Sequence, residues 1–359
     1  MKVAQVDSFF WKNKKVFLTG HTGFKGSWLS LWLASMGAKV TGYALAPNTI
    51  PNLFEVLLIN SLIEKSHIAD IRHLTTLQAA LSDAKPDVVI HMAAQPSVRY
   101  SYINPVETYN TNIMGTVHVL ESIRSVDSVR ATVVVTTDKC YENKEWVWGY
   151  RENDSMGGYD PYSSSKGCVE LVTSAYRQSY FSGPNSSNNI ATARAGNVIG
   201  GGDWTKDRLI PDAIKAFEGG LPLMIRNPLA TRPWQHVLEP LSGYLLLAQA
   251  LYEKGSSFAS AWNFGPRDGD NRVVHEVIDL MISDWGDSAR WEEEVSDQPH
   301  EANLLKLECS KACAELGWVP KWDLEIAMQK IIQWQKSFQT KENMQEVSLL
   351  QISQYMCSK

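Results

Sequence analysis

Tyr162 and Lys166, in the run Tyr162-Ser163-Ser164-Ser165-Lys166, are four residues apart and therefore share one face of a helix. An ammonium at that distance favours the phenolate and lowers the tyrosine pKa. A tyrosine tuned in this way can exchange a proton with a sugar hydroxyl. Far upstream lies a second pattern, Gly20-His21-Thr22-Gly23-Phe24-Lys25-Gly26, with GxxGxxG spacing. Glycines there let the backbone approach phosphate oxygens, and the helix that follows offers amide donors and the positive end of its dipole. One motif handles a proton and the other seats a dinucleotide that carries hydride. Together they indicate redox chemistry at a carbinol carbon.

Other segments can complete such a site. Thr136-Thr137-Asp138-Lys139-Cys140-Tyr141 follows an apolar run and falls at the carboxyl end of a strand, the edge where open α/β sheets hold their ligands. Asp138 and Lys139 can serve there as an acid and a base. His91-Met92-Ala93-Ala94-Gln95 also follows a strand, and its small residues leave room for a cofactor. Asn112 and Thr116 fall on a helix near the same crevice, with Asn112 read as a buried side chain that bonds backbone. An acid about 20 residues after the glycine turn would bind the adenosine ribose hydroxyls. Residues 42–46, Gly-Tyr-Ala-Leu-Ala, contain none. Lys25 can reach a 2′-phosphate, so the residues alone leave NAD and NADP both open. Asp70 and Ile71, after a short strand, can meet an adenine ring, or Asp70 can be a surface aspartate. Arg208 and Arg232 offer forked donors suited to a diphosphate.

The elements that must position these groups follow from hydrophobic pattern. Runs at 15–19, 39–45, 87–92, 132–136 and 190–197 are continuously apolar, as buried parallel strands are. Residues 27–35 carry Trp28, Leu29, Leu31, Trp32 and Leu33 on a helix that Gly37 closes. Strands alternating with helices predict an α/β fold, a Rossmann-type doubly wound parallel sheet. Residues 182–189 are a loop by composition, and beyond them Pro and Trp become frequent and periodicity weakens. The expected division is a dinucleotide-binding domain over 1–189. A smaller, interleaved lobe over 190–359 would bind substrate, with some of its segments returning to the first domain. The tail from residue 339 reads as a terminal helix at an interface or as partly disordered.

A chain of 359 residues with 44% hydrophobic and 20% charged residues has ample core for such a fold. A net charge of −5 argues against a nucleic-acid partner. Five cysteines, Cys140, Cys168, Cys309, Cys313 and Cys357, form no CxxC pair, which argues against a metal site and for reduced thiols. No signal-peptide pattern and no membrane-length apolar run occur, so a cytoplasmic protein without membrane contact is expected.

These motifs resemble the extended short-chain dehydrogenase/reductases that act on nucleotide sugars, the NAD-dependent epimerase/dehydratase family. The resemblance spans nearly the whole chain, through residues 18–27, 90–115, 135–143, 159–170, 193–211, 232–240 and 297–314. The Thr-Thr-Asp segment is similar to that of the 4,6-dehydratases. Lys139 is similar to the branch acting on CDP-glucose, where dTDP- and GDP-sugar dehydratases carry Glu. The resemblance implies bound NAD. Tyr162 would accept the 4-hydroxyl proton, Thr137 would hydrogen-bond the same oxygen, and Lys166 would support the phenolate and the nicotinamide ribose. It further implies Lys139 as the C5 base and Asp138 as the acid for the 6-hydroxyl. Such a pair rests as Asp⁻ and Lys⁺. The neutral pair holds the same number of protons, and a dry site brings it within reach. Ser97 and Arg99 are implied for the sugar, Asn197, Arg208 and Arg232 for diphosphate and ribose, and His300 and Glu301 near the substrate. A homodimer or homotetramer is implied as well. Val117, Val119, Leu120, Val169 and Val172 would either build that interface or face the sheet. A C4 epimerase shares Tyr162 and Lys166 but needs neither Asp138 nor Lys139. A non-catalytic dinucleotide-binding regulator would need none of the four.

Overall fold

The computed structural model describes residues 3–183, 188–286, 289–294 and 302–358. The valine- and isoleucine-rich runs form a parallel sheet from β1 (Lys15–Thr19), β2 (Lys39–Ala44), β3 (Lys65–Ile68), β4 (Val88–His91), β5 (Ala131–Val135), β6 (Asn189–Ala195) and β10 (Ala261–Phe264). The order is β10-β6-β5-β4-β1-β2-β3. Chain order reverses between β1 and β4, which opens a crevice at their carboxyl ends, the place where doubly wound sheets bind ligands. Both faces are covered by helices, so every residue of β5 is buried. The helix Phe24–Ser35 is buried on nearly all sides because it lies between the sheet and the C-terminal helix.

The expected strand over 190–197 is instead two strands. β6 ends at Ala195, and Asn197 begins β7 (Asn197–Ile199) in another sheet. The break falls at Gly196, where a Cβ would meet Pro233 Cγ at 2.5 Å and Asp138 Oδ2 at 3.2 Å. β7 pairs with β9 (Thr231–His236), which also pairs with β11 (Asn271–Val273). A two-stranded sheet joins β8 (Leu223–Ile225) to β12 (Trp291–Glu293). Helices Leu209–Glu218, Val274–Trp285 and Leu324–Gln339 bury a second core around Ile210, Phe217, Ile278, Met281 and Met328. Helix Leu238–Lys254, by contrast, packs on β5 and β6.

Val119, Leu120 and Val169 settle one alternative, since they are buried against sheet residues such as Val89, Val134 and Ile190. The tail is a helix rather than partly disordered. Helix Met344–Cys357 docks on the main core, with Tyr355 edge-on to Trp32 at 5.8 Å. Of the loop at 182–189, residues 184–187 lie outside the described set.

Glu239 anchors that dock. Its fully buried carboxylate accepts from the backbone N–H groups of Lys321 (3.0 Å) and Trp322 (2.7 Å) and from the Tyr355 hydroxyl (2.7 Å). The Lys321 ammonium donates to the carbonyls of Tyr355 (3.2 Å) and Ser358 (2.8 Å), which closes the end of the terminal helix. Burial raises the Glu239 pKa from 4.5 to about 7 despite these donors. The folded protein therefore binds one proton more than the unfolded chain between those two pH values. Glu239 should favour folding fully below about pH 4.5 and lose about 3 kcal/mol of that contribution as pH rises to about 7. Thermal unfolding of wild type and Glu239→Gln across that range should show a falling Tm in wild type that the variant lacks.

Candidate active site

The glycine turn leaves β1 and enters helix Phe24–Ser35. Gly20 has φ +80°, and a Cβ there would lie 2.9 Å from the Ala93 backbone nitrogen. A Cβ on Gly26 would lie 2.0 Å from the Gly20 carbonyl oxygen. Both glycines are thus required by the protein's own backbone. Gly23 is not, because its nearest neighbour would be a carbonyl at 3.5 Å. It is the N-cap of the helix, with no side chain capping the first amides. An uncapped helix start beside a glycine that packing does not demand is what a diphosphate needs, so the turn fits a dinucleotide. Thr22 Oγ1 donates to the Leu45 carbonyl at the end of β2 (2.8 Å). The His21 ring is buried over Gly42 and bonded to Ser66 (2.7 Å), which leaves only the backbone of residue 21 for a ligand.

Lys25 does not point toward the end of β2, which corrects the 2′-phosphate role considered for it. Its ammonium stands over the Tyr244 ring at 5.7 Å. Burial, Lys166 and Arg208 push its pKa down to about 7. Lys25 therefore faces the reaction end of the crevice.

The opposite wall is held by polar contacts. Asn112 sits in a π-turn, Asn110–Met114, accepts from the Gln95 N–H (2.8 Å), and donates to the Gln95 carbonyl (3.1 Å) and Ser165 Oγ (2.8 Å). The Gln95 amide donates to Thr108 (2.8 Å), so Gln95 braces the loop that carries Ala93 and Ala94. Thr116 bonds the buried, neutral His91 (3.0 Å). The Asp70 carboxylate is taken up by Arg72 at 2.6 and 2.9 Å. Ile71 fills the space above Gly115, and its carbonyl contacts His118 (3.1 Å).

Helix Pro161–Tyr180 carries Tyr162 and Lys166, both buried and both facing the end of β5. Asp160 caps it, with Oδ1 accepting from the Ser163 N–H at 2.9 Å. The Tyr162 phenol is not lowered as the spacing predicts. Burial raises it to about 12, with Thr137 and Arg208 opposing and Asp138 and Asp160 assisting. Lys166 is turned to the Val135 carbonyl (3.2 Å), and burial lowers its own pKa to about 8. Thr137 Oγ1 donates to Asp138 Oδ1 (2.9 Å), and Thr137 opposes the rise of the Tyr162 phenol. Asp138 is 1% exposed, and its Oδ2 has no hydrogen-bond partner among the described residues. Burial raises its pKa against the pull of Lys139, Thr137 and Arg232, which favours the acid form.

Lys139 and Arg232 line a cleft of about 580 Å³ with Val98, Tyr159, Asp160 and Ser163. Arg208 pairs with Asp203 at 3.0 Å, and its charge reaches Tyr162 and Lys25. Ser97 caps helix Val98–Ile103, on which Arg99 pairs with Asp207 at 3.8 Å. Asn197 opens β7 beside Trp234. His300 and Glu301 lie outside the described residues. Two residues absent from the sequence reasoning hold the site together. Glu170, one turn beyond Lys166, receives Arg194 (2.8 Å), Thr192 (2.7 Å) and Thr136 (2.5 Å) on a side chain 5% exposed. The available clue was Arg194, the one charged residue of β6.

Residues 17–331 match the family of GDP-mannose 4,6 dehydratase. The chain is 55% identical, over 98% of its length and 98% of the relative's, to a CDP-glucose 4,6-dehydratase of Salmonella typhimurium. Among solved structures it is similar to a dTDP-glucose 4,6-dehydratase from Bacillus anthracis in complex with NAD (TM-score 0.74, 21% identity, 92% of this chain and 99% of that one). It is also similar to a UDP-glucose 4-epimerase from Stenotrophomonas maltophila with bound NAD (TM-score 0.79, 22% identity, 92% and 100%).

Gly23→Ala should fold normally and lose dinucleotide affinity, whereas Gly26→Ala should lose stability first; calorimetric binding and thermal unfolding separate the two. Glu170→Ala strands the buried Arg194 charge and should cost about 3–5 kcal/mol of stability, read as a lowered Tm.

Proposed function

The chain belongs to the GDP-mannose 4,6-dehydratase family, and we propose that it converts CDP-glucose to CDP-4-keto-6-deoxyglucose and water. The 55% identity to a CDP-glucose 4,6-dehydratase along nearly the whole chain supports that substrate. The observation that carries the dehydration is Asp138. It is a buried carboxyl with raised pKa, hydrogen-bonded to Thr137 and followed by Lys139 on the cleft wall. C4 epimerisation needs no such group.

NAD would supply the hydride acceptor for the sugar C4 and the hydride donor for C6. We assign its diphosphate to the backbone of Gly20, His21, Thr22, Gly23, Phe24, Lys25 and Gly26. The loop Ala93, Ala94 and Gln95, with Asp70 and Ile71, would flank its other parts, and Lys166 its ribose. Tyr162 takes the proton of the 4-hydroxyl while Thr137 hydrogen-bonds the same oxygen. The resulting ketone acidifies the C5 hydrogen, which Lys139 removes. Asp138 protonates the departing 6-hydroxyl, a step that its burial favours. Lys139 then returns its proton to C5. Arg208 and Arg232 would hold the diphosphate, with Asn197, Ser97, Arg99 and His300 nearby.

The product would be a precursor of deoxysugars in bacterial lipopolysaccharide O-antigens, made in the cytoplasm by a homodimer or homotetramer. No helix among the described residues is long and apolar enough to cross a membrane.

Mass spectrometry after incubation with CDP-glucose, dTDP-glucose, UDP-glucose or GDP-mannose should show loss of one water from CDP-glucose alone. Loss from another of the four would keep the reaction and move the substrate. Asp138→Asn should still oxidise C4 and accumulate reduced cofactor, with product formation down by about 10²–10⁴-fold.

A further inference from the structure

His91 ends β4 and Thr19 ends β1, and the two are register neighbours where the crevice opens. His91 is 3% exposed. Its Nδ1 meets Thr19 Oγ1 at 2.7 Å and its Nε2 meets Thr116 Oγ1 at 3.0 Å. No step of the dehydration proposed above uses this ring.

The two hydroxyls decide where its proton sits. Thr116 gives its single hydrogen to the Asn112 carbonyl (2.6 Å), so toward His91 it can only accept. Thr19 Oγ1 accepts from the backbone N–H groups of Met92 (3.0 Å) and Ala93 (3.1 Å). Both its lone pairs are then in use, and its hydrogen is left for Nδ1. A ring with a proton on Nδ1 would set one donor against another at Thr19. Only the neutral ring with its proton on Nε2 suits both neighbours. Burial and the nearby Lys166 charge lower the ring's pKa to about 3, which keeps it neutral.

The consequence lies at the glycine turn. Gly20 follows Thr19, and a Cβ on Gly20 would lie 2.9 Å from the Ala93 nitrogen. That nitrogen is one of the two that Thr19 holds. One hydroxyl thus pins the loop wall of the crevice to its glycine floor, and His91 sets the direction of that hydroxyl. The run continues on the other side of the ring. The Asn112 amide donates to Ser165 Oγ (2.8 Å), and Ser165 Oγ donates to the Tyr162 carbonyl (2.7 Å). From Ala93 through Thr19, His91, Thr116, Asn112 and Ser165 to Tyr162, each residue donates to the next, an order in which neighbouring bonds reinforce one another.

We propose that His91 is a positioning residue for the dinucleotide. As the Nε2–H tautomer it aims the Thr19 hydroxyl so that Met92 and Ala93 are held against Gly20. Through Thr116 and Asn112 it ties that seat to the helix of Tyr162. The inference rests on the assignment of the glycine turn to NAD made above, and on no step of the dehydration.

Two measurements test it. Nitrogen NMR of the ¹⁵N-histidine-labelled protein, with His91 assigned by the signals that His91→Asn removes, should show the Nε2–H tautomer unchanged from about pH 6 to pH 8. Calorimetric titration with NAD should then separate the variants. His91→Asn keeps an acceptor near the place of Nδ1, and Thr19→Ser keeps the hydroxyl, so both should bind NAD close to wild type. His91→Gln keeps only a donor near the place of Nε2, and Thr19→Val has no hydroxyl. Both should bind NAD roughly 10- to 100-fold more weakly. If the ring carries its proton on Nδ1 or titrates in that range, the proposal is overturned. It is overturned equally if His91→Gln and Thr19→Val bind NAD as wild type does and only their Tm falls, because His91 then serves packing alone. Wild type that gives the expected tautomer and affinities, yet releases no water from any of the four nucleotide sugars, would sink the dehydratase reading and leave this one standing.

Discussion

The ion pair between Glu170 and Arg194 is the constraint on which the site depends. Taking two charges out of water is costly, and it is tolerated here because nearly every donor and acceptor around them is matched. Against the upward push of burial, Arg194, Thr136 and Thr192 hold the Glu170 carboxyl below its ordinary range. Arg194 also donates to the Tyr141 hydroxyl (2.7 Å) and the Glu152 carbonyl (2.9 Å). Tyr141 passes the network to Asn263 (2.7 Å), and Asn263 to the carbonyls of Tyr150 (2.8 Å) and Glu308 (3.0 Å). One chain of contacts thus joins the helix of Tyr162, the ends of β5 and β6, strand β10 and the segment at 307–308. A helix free to rotate by a fraction of a turn would carry Tyr162 away from Thr137. The pair removes that freedom.

The chemistry then follows from dryness. Burial raises Asp138 and Tyr162 and lowers Lys166 and Lys25, so each group is pushed toward its neutral form. A neutral carboxyl can donate a proton and a neutral amine can accept one, whereas the Tyr162 phenol accepts one only after losing its own. The same burial isolates them from solvent protons, so that transfers between neighbours matter more than exchange with water.

Much of this was legible in the sequence wherever one residue pattern implied one structure. Continuous apolar runs gave away β1, β2, β4 and β5 because a parallel sheet buries both faces. The Tyr162–Lys166 spacing placed both side chains on one helix face. The pKa of Tyr162 was mis-signed because spacing reports proximity and not burial. Glu170 and Arg194 were invisible as a pair because they meet only after the helix and β6 pack side by side. The lobe was hard to read because β7, β8, β11 and β12 have three residues each and take their partners from distant segments. The break at Gly196 was hidden for a related reason, since only Asp138 and Pro233 explain it.

The docking of the terminal helix has a consequence for how the chain is made. Trp28 and Trp32 belong to the helix that starts the dinucleotide site, yet Trp32 is covered by Tyr355, and Trp28 bonds the Gly201 carbonyl (3.0 Å). On the ribosome, that helix emerges long before its cover does. The first half of the fold must wait with an aromatic face open to water, a surface that invites wrong contacts during synthesis. The cofactor-binding half is therefore not a unit that folds as it is translated. Its completion is deferred to the arrival of residues 344–357.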